Sequence, residues 1–496
     1  MALAVRVSDN ATASLRVRPH RKGERLAFNP TIILAVSAVA LPTFATSAHA
    51  QADTATTAVE APAAATAAPS EDAEVRDRAL RRRSGDTSPA NEQGDTQRPP
   101  PPGLAGEWFG LKPFFADRGI GLTGRYTSEG AWNPAGGERH DIEETGQFDL
   151  GLLLDMRKVA GIDGIFQATI TYRRGHLLDQ RAGLNTLQQT QEVYGRSQTW
   201  RLTQFWYEER ILHGSVDMKV GRTAPGEDFA AFSCSFQNLS FCGSQPGNVV
   251  GSYWYNWPVS QWGGRFRLNR GKAYVQFAVY EENPRNLDKT FTIGHFSGAT
   301  GALIPFEVGV VRGGTQGGPV GSYKVGGWVS TANSGDVLLD VNHAPKILTN
   351  LPALERSSAH GVWLNAQQQL SGHSEGGKTS SGLTIFANVT LADRHTSYLD
   401  NQIAVGLFEK GLFPWFTEDV LGVGLASTHV NSRVARSERL AGEATQSSEY
   451  AAEIYYGFHP ESWLELRPNV QLIHHAGGYG QAHDICVVGL KSALTL

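Results

Sequence analysis

The residues of this sequence best equipped for chemistry are charged, and they stand at alternate positions. Arg173 closes the run Gln167, Thr169, Thr171, Arg173, which interleaves with Phe166, Ala168, Ile170 and Tyr172. Arg265 and Arg267 share a side with Gln261 and Asn269, while Trp262, Phe266 and Leu268 take the other; Arg125 stands beside Thr127, opposite Ile120, Leu122, Gly124 and Tyr126. A guanidinium carries five N–H donors and a permanent charge, so a row of them suits weak, charge-assisted hydrogen bonding. Arg467 and Lys491 add cations on the polar sides of their own runs, and Asp149, Glu453 and Glu465 add anions. The long segment 223–260 lies between two such runs and holds Glu227, Asp228, Trp254, Tyr255 and Trp257. Each charge has a plainer reading, as a generic group that keeps a water-filled interior wet. The Trp/Tyr group reads equally well as an aromatic girdle at a membrane interface.

The elements that must carry these residues are strands. Alternation with period two places successive side chains on opposite faces. In "ICVVGLKSALTL" (485–496), Cys486, Val488, Leu490, Leu494 and Leu496 share one face, and Gly489, Lys491, Ala493 and Thr495 the other. "WLELRPNVQLI" sets Leu464, Leu466, Val470 and Leu472 against Glu465, Arg467, Asn469 and Gln471. Taken singly, such a run fits the edge of a soluble sheet. Taken together, about sixteen runs occur, the weakest near 199–209, 304–311 and 401–409. Tight links ("HG" at 213–214, "RG" at 270–271) alternate with long ones (174–198, 223–260, 332–356). Apolar outside, polar inside, short turns at one end and long loops at the other describe an all-β, transmembrane antiparallel β-barrel over residues 104–496, with short periplasmic turns and long extracellular loops. A closed barrel pairs its last strand with its first, which accounts for a chain finishing on a strand. A terminal strand ending on an apolar residue suits recognition by the barrel-assembly machinery, although Leu496 stands where Phe is usual.

Composition agrees with that compartment. The basic residues Arg16 to Arg25, the apolar core 31–45 and the small-residue site ending at Ala50 read as a signal peptide over 1–50. The alternative, a membrane anchor, falls short of the roughly 20 residues a spanning helix needs. Residues 51–103, rich in Ala, Thr and charged groups and ending in "RPPPPG", read as a disordered linker. A net charge of -4 leaves no footprint for nucleic acid. The chain has three cysteines, and Cys234 and Cys242, separated by seven residues, suit a disulfide staple in an exported loop, free thiols being the alternative. No metal site and no cofactor are expected, because no His or further Cys stands at ligand spacing beside that pair.

Several segments resemble the carbohydrate-selective porin family. "EWFGLKPFFADRGIGLTGRYTSEG" resembles the family's entry into its first strand, and "GQFDLGLLLDMRKVAGIDGIFQATI" its second and third strands. "QFWYEERILHGSVDMKVGRTAPGEDFA" is similar to the fourth and fifth, and "LELRPNVQLIHHAGG" to the penultimate strand, without the family's Pro near its end. The resemblance covers most of 104–496. It implies an outer-membrane protein that passes sugars by facilitated diffusion, with sugars and outer-membrane lipids as its partners. On that reading Arg125, Arg173, Arg265, Arg267, Glu227, Asp228 and Trp254 are the candidates to line a constriction. A non-enzyme is expected. The contrasting classes are a barrel hydrolase and a plugged structural or adhesive barrel; conductance and hydrolysis assays separate them. Oligomeric state stays open.

Overall fold

The computed structural model describes residues 103–106, 108–312, 318–375, 378–413 and 415–496. The signal peptide read over 1–50 and all but the last residue of the linker read over 51–103 lie outside the described residues.

Sixteen antiparallel strands close into one barrel. They are β1 (Ile120–Ala135), β2 (Ile142–Asp155), β3 (Ile165–Gly175), β4 (Trp200–Ile211), β5 (Val216–Thr223), β6 (Gln261–Arg270), β7 (Ala273–Glu282) and β8 (Gly301–Arg312), followed by β9 (Gly321–Ser330), β10 (Ala359–Gln369), β11 (Gly382–Ala392), β12 (Leu399–Lys410), β13 (Val420–Val430), β14 (Ser448–Glu461), β15 (Leu464–His474) and β16 (Ile485–Thr495). Every strand pairs with its sequence neighbour in the barrel, and β16 returns to β1, where Glu129 stands opposite Lys491 and Trp132 opposite Val488. The three weak runs are all true strands, β4, β8 and β12. Two small two-stranded sheets, Ser334–Asp340 with Ala353–Arg356 and Ser374–Glu375 with Lys378–Thr379, decorate the connections.

Alternation decides which way each strand faces. In β5, Val220 is 61% exposed on the outside while Lys219 is 6% exposed on the inside. The outward row continues round the barrel through Phe277, Val325, Val362, Ile403, Leu425, Leu472 and Leu490, all exposed and apolar. No helix among the described residues is long and apolar enough to cross a membrane, and a closed barrel with an apolar outside leaves no strand edge unpaired toward lipid. A short helix, Leu111–Asp117, leads into β1, and Lys112 Nζ donates to the Leu496 carbonyl at 3.1 Å, so the entry to β1 and the last strand meet at the short-turn rim.

At the opposite rim two long loops turn inward, 176–199 and 224–260. Their apolar residues are buried against the wall, in place of a single central core. Phe236 and Phe241 seat among Phe386, Phe408 and Tyr455, with ring centroids 4.9 to 6.0 Å apart. Trp254 packs edge-on against Trp328 and Trp363 at 5.6 and 5.5 Å. Those two wall tryptophans fit because Gly361 and Gly326 lie beneath them: a Cβ at either position would sit 2.1 Å from the neighbouring indole.

Candidate functional site

The inward loops are held by wall charges acting on loop backbone. Glu453 of β14 accepts from the N–H groups of Gln237 and Asn238, at 2.8 and 2.7 Å. Glu449 takes the N–H of Leu187 and Gln188, and Glu307 of β8 takes that of Ala230. Conversely, Lys491 donates to the carbonyls of Cys234 and Phe236, and Lys324 to that of Ala231. Carboxylates meet donors and ammonium groups meet acceptors, so these backbone groups of the loops are satisfied inside the lumen.

This crossing leaves a cavity between wall and loops, and it sorts the predicted residues into two groups. Arg125 and Arg173 line the cavity. They stand on adjoining strands about Asp149: Arg125 is opposite Asp149 across β1 and β2, and Arg173 is opposite Gln147 across β2 and β3. Arg173 donates from Nε to Gln147 Oε1 at 2.7 Å and from Nη1 to the Gly195 carbonyl at 2.7 Å. Asp149 accepts from Gln147 and Thr171. Lys491 closes the polar side, 3.1 Å from Glu129 and 2.9 Å from Glu192.

The second group is engaged differently. Arg265 is gripped by Asp217 at 2.6 Å and Asp228 at 2.7 Å, with Glu208 at 3.5 Å. Asp228 also holds Lys219 at 2.9 Å. Glu227 accepts from Gln204 Nε2 and from the N–H of Ala224. Arg267 lies over the Tyr274 ring, 3.7 Å from its centroid, and donates to Asn269. Trp254 is 0% exposed, so neither of its faces can meet a solute. Arg265, Glu227 and Asp228 thus form contacts at the root of the loop, Arg267 packs half-buried on the wall, and Trp254 anchors the loop. A loop that folds back covers whichever inward residues lie beneath it, and alternation along a strand does not say where the loop lands.

The two loop acids respond oppositely to this burial. The Glu227 carboxyl is pushed up to about 7 from its ordinary 4.5 by burial, opposed by Lys219 and reinforced by Asp228. For Asp228, burial is outweighed by Arg265 and Lys219, which hold it below its ordinary 3.8.

Residues not put forward as constriction candidates complete the cavity lining. Asp149 and Lys491 were legible as inward charges, and Trp257 as a member of the aromatic loop group. Glu192, Asn256 and Ser244 sit on loops, where no periodicity marks them. Cys234 and Cys242 are joined in a disulfide that also lines the cavity. The Glu192 carboxylate lies within 4.8 Å of both sulfurs. Bonded to each other, those sulfurs have no thiolate to offer a metal. Cys486 is free, on the outward row of β16.

One stretch has to be answered for among catalytic motifs. Gly372–Thr379, "GHSEGGKT", spells both G-x-S-x-G and G-x-x-x-x-G-K-T. Either motif works only where a strand turns into a helix, exposing a nucleophile or aiming N–H groups at phosphate. Here Ser374 pairs with Thr379 and Glu375 with Lys378 in a small hairpin between β10 and β11. The Ser374 hydroxyl donates to the Gly318 carbonyl. Among the described residues of this stretch, a two-stranded ladder stands where either motif would need a helix.

A closed sixteen-stranded barrel, apolar outside and charged within, narrowed by an inward loop, defines a porin of the bacterial outer membrane. The chain belongs to a particular family of these: residues 139–496 match the model of the carbohydrate-selective porin, OprB family. It is 40% identical over 416 residues to Porin B of Pseudomonas aeruginosa, covering 78% of this chain and 90% of that one. It is 32% identical over 421 residues to the putative porin QuiX of Acinetobacter baylyi, covering 79% and 92%. The high-pH structure of Pseudomonas putida OprB superposes with a TM-score of 0.76 at 39% identity, over 80% of this chain and 99% of that one. The protein is an outer-membrane porin for the diffusion of carbohydrates.

Proposed function

We propose that the sugar filter of this porin is the cavity between β1–β3 and the inward loops, with Arg125, Asp149, Arg173 and Lys491 making the hydroxyl contacts. The observation that supports this reading most is the sorting of the arginines: Arg125 and Arg173 line the cavity, whereas Arg265 is enclosed by three carboxylates. A sugar hydroxyl both donates and accepts. A rim that mixes guanidinium, ammonium and carboxylate groups meets it in either sense, and water competes at every contact, so binding stays weak enough to release.

On this reading the chain transports without catalysing hydrolysis, and the barrel-assembly machinery inserts it. Swelling of proteoliposomes with sugars, amino acids and organic acids tests the proposal. Neutral hexoses should enter faster than amino acids of equal size, and release of reducing sugar from oligosaccharides should stay at background. Equal entry of all solutes at a given mass would remove the filter and leave a general pore. Hydrolysis above background would restore the enzymatic reading.

A further inference from the structure

Two long loops fold into the lumen, but the connection between β7 and β8, residues 283–300, folds the other way. Lys219 and Arg265 stand opposite each other on β5 and β6, and both reach Asp228 inside the barrel. Arg222 and Trp262, opposite each other three positions along, therefore belong to the outward row. Arg222 is nonetheless fully buried, because the 283–300 connection lies over it. Besides Ser260, its guanidinium donates to Thr292 Oγ1 at 2.9 Å, to the Thr292 carbonyl at 3.2 Å and to Asn286 Oδ1 at 3.1 Å. Trp262 stacks on Phe296 with ring centroids 5.8 Å apart. Arg201 of β4 donates to the carbonyls of Asn286, Leu287 and Asp288. Two buried arginines thus hold a flap against the outer wall at the long-loop rim.

The flap turns apolar side chains outward. Phe291, Ile293 and Phe296 are exposed, Phe296 at 70%, and they extend the outer apolar row of Val220, Phe277 and Val279 toward the rim. Beside the flap, Tyr172 and Trp200 stack at 4.9 Å, an aromatic pair of the kind that marks headgroup level on a membrane barrel. Thr199 Oγ1 meets the Lys289 carbonyl at 3.5 Å, which sets Lys289 at that level. The Lys289 ammonium is exposed and has no partner among the described residues. Arg285, also exposed, gives Nη1 to Ser297 Oγ. Arg285 and Lys289 against the single acid Asp288 leave residues 283–300 with a net positive charge.

We propose that this flap docks the phosphorylated glycolipid of the outer leaflet, with acyl chains against Phe291, Ile293 and Phe296 and phosphate against Lys289 and Arg285. The apolar patch is continuous with the surface that already faces lipid, and the cations stand where a headgroup offers its phosphate. A guanidinium and an ammonium side by side suit a phosphate, which accepts several charge-assisted hydrogen bonds. The surface lies outside the lumen, so the proposal is independent of the sugar filter.

The test titrates the full-length porin, stripped of lipid in detergent, with lipid A and reads the bound lipid by native mass spectrometry. The native barrel should hold lipid A and bind phosphatidylglycerol roughly tenfold more weakly. Lys289→Glu combined with Arg285→Gln should lower lipid A affinity by about tenfold, the loss of a charge-assisted contact. Dephosphorylated lipid A should bind the native barrel as weakly as intact lipid A binds that variant. Phe296→Ser, acting on the acyl chains, should weaken intact and dephosphorylated lipid alike. Arg436→Glu, at an exposed arginine between β13 and β14, should leave the affinity at its native value. Single-channel conductance near native verifies that each variant is a folded, inserted barrel. Equal lipid A affinity in the native porin and the double variant would overturn the proposal. So would an equal loss in Arg436→Glu, or phosphatidylglycerol bound as tightly as lipid A. A dimer of barrels that Phe296→Ser abolishes would assign the patch to a second copy of the chain and overturn it too.

Discussion

Arg173 on β3 and Arg265 on β6 look alike in the sequence, each an arginine on the polar side of an alternating run. In the barrel they have opposite circumstances. Arg173, itself only 4% exposed, shares its guanidinium with an amide and a backbone carbonyl beside the cavity. Arg265 is enclosed by Asp217, Asp228 and Glu208 beneath the root of the inward loop. Neutral partners leave a cation's charge available to a passing solute, whereas carboxylates neutralise it and convert it into a fastening. On the proposed reading, one strand pattern yields a transport residue or a structural one, depending on what the loop covers.

The widest separation of the two roles should come from stability. Removing one member of a buried ion pair leaves the others uncompensated and costs about 3–5 kcal/mol. Arg265→Ala should lower the melting temperature of the detergent-solubilised barrel markedly, and Arg125→Ala by less. Matching melting curves for the two variants would erase the distinction. Trp254→Ala attacks the same fastening from its apolar side, with a cost of about 3–5 kcal/mol for emptying the tryptophan cluster. Its expected signature is a noisier open channel with sugar affinity nearly intact, because Trp254 has no surface in the cavity. An unaltered current trace would show that the cluster does not hold the loop.

A smaller effect is expected from the disulfide. Closing a loop of this length is worth about 2 kcal/mol in the chain-entropy account. Glu453, Lys491 and the Phe236–Phe241 packing hold the same segment independently. Cys234→Ser with Cys242→Ser should thus give a folded, conducting channel with modestly lower stability; loss of folding would mean that those contacts need the covalent link.

A further effect is one of pH. Glu227 has a folded-state pKa raised from 4.5 to about 7, so the folded protein holds its proton more tightly than the unfolded chain does. Its contribution to stability is therefore present below pH 4.5 and is lost as pH rises through 7, with a slope of up to about 1.4 kcal/mol per pH unit. Asp228, held low, acts in the other direction: its contribution is present above its ordinary 3.8 and is lost as pH falls through its folded value. Comparing Glu227→Gln with the native porin between pH 5 and 8 isolates the first term. The variant should lose part of the decline in stability toward pH 8, and an unchanged slope would count against burial of that carboxyl.

How much was legible in the sequence follows from the same contrast. Strands announce themselves locally: β16 could be read from Val488, Leu490 and Lys491 alone, and even the weak runs at β4, β8 and β12 kept enough alternation to be found. Which rim carries the long loops was legible for the same reason. The site was half legible. Arg125 and Arg173 were placed correctly on the polar side and do line the cavity, yet nothing local distinguished them from Arg265 and Arg267. Trp254 and Trp257 lie three residues apart in one aromatic segment, and only the packing of Trp328 and Trp363 decides that the first is an anchor. Glu192 reaches Lys491 from a loop 299 positions away in sequence, a contact no periodicity can foretell.

The central claim is that the β1–β3 side of the lumen meets the sugar and the β4–β6 side does not. Sugar-induced block of single-channel ion current tests it most directly, measured with glucose or a short glucose oligomer on the native porin, Arg125→Ala, Arg173→Ala and Arg267→Ala. Loss of a hydroxyl contact at the low end of the charge-assisted range is about 1.4 kcal/mol, roughly tenfold in affinity. The account predicts that drop for Arg125→Ala and Arg173→Ala, with sugar affinity of Arg267→Ala near native. An equal loss in all three, or a loss confined to Arg267→Ala, would contradict it.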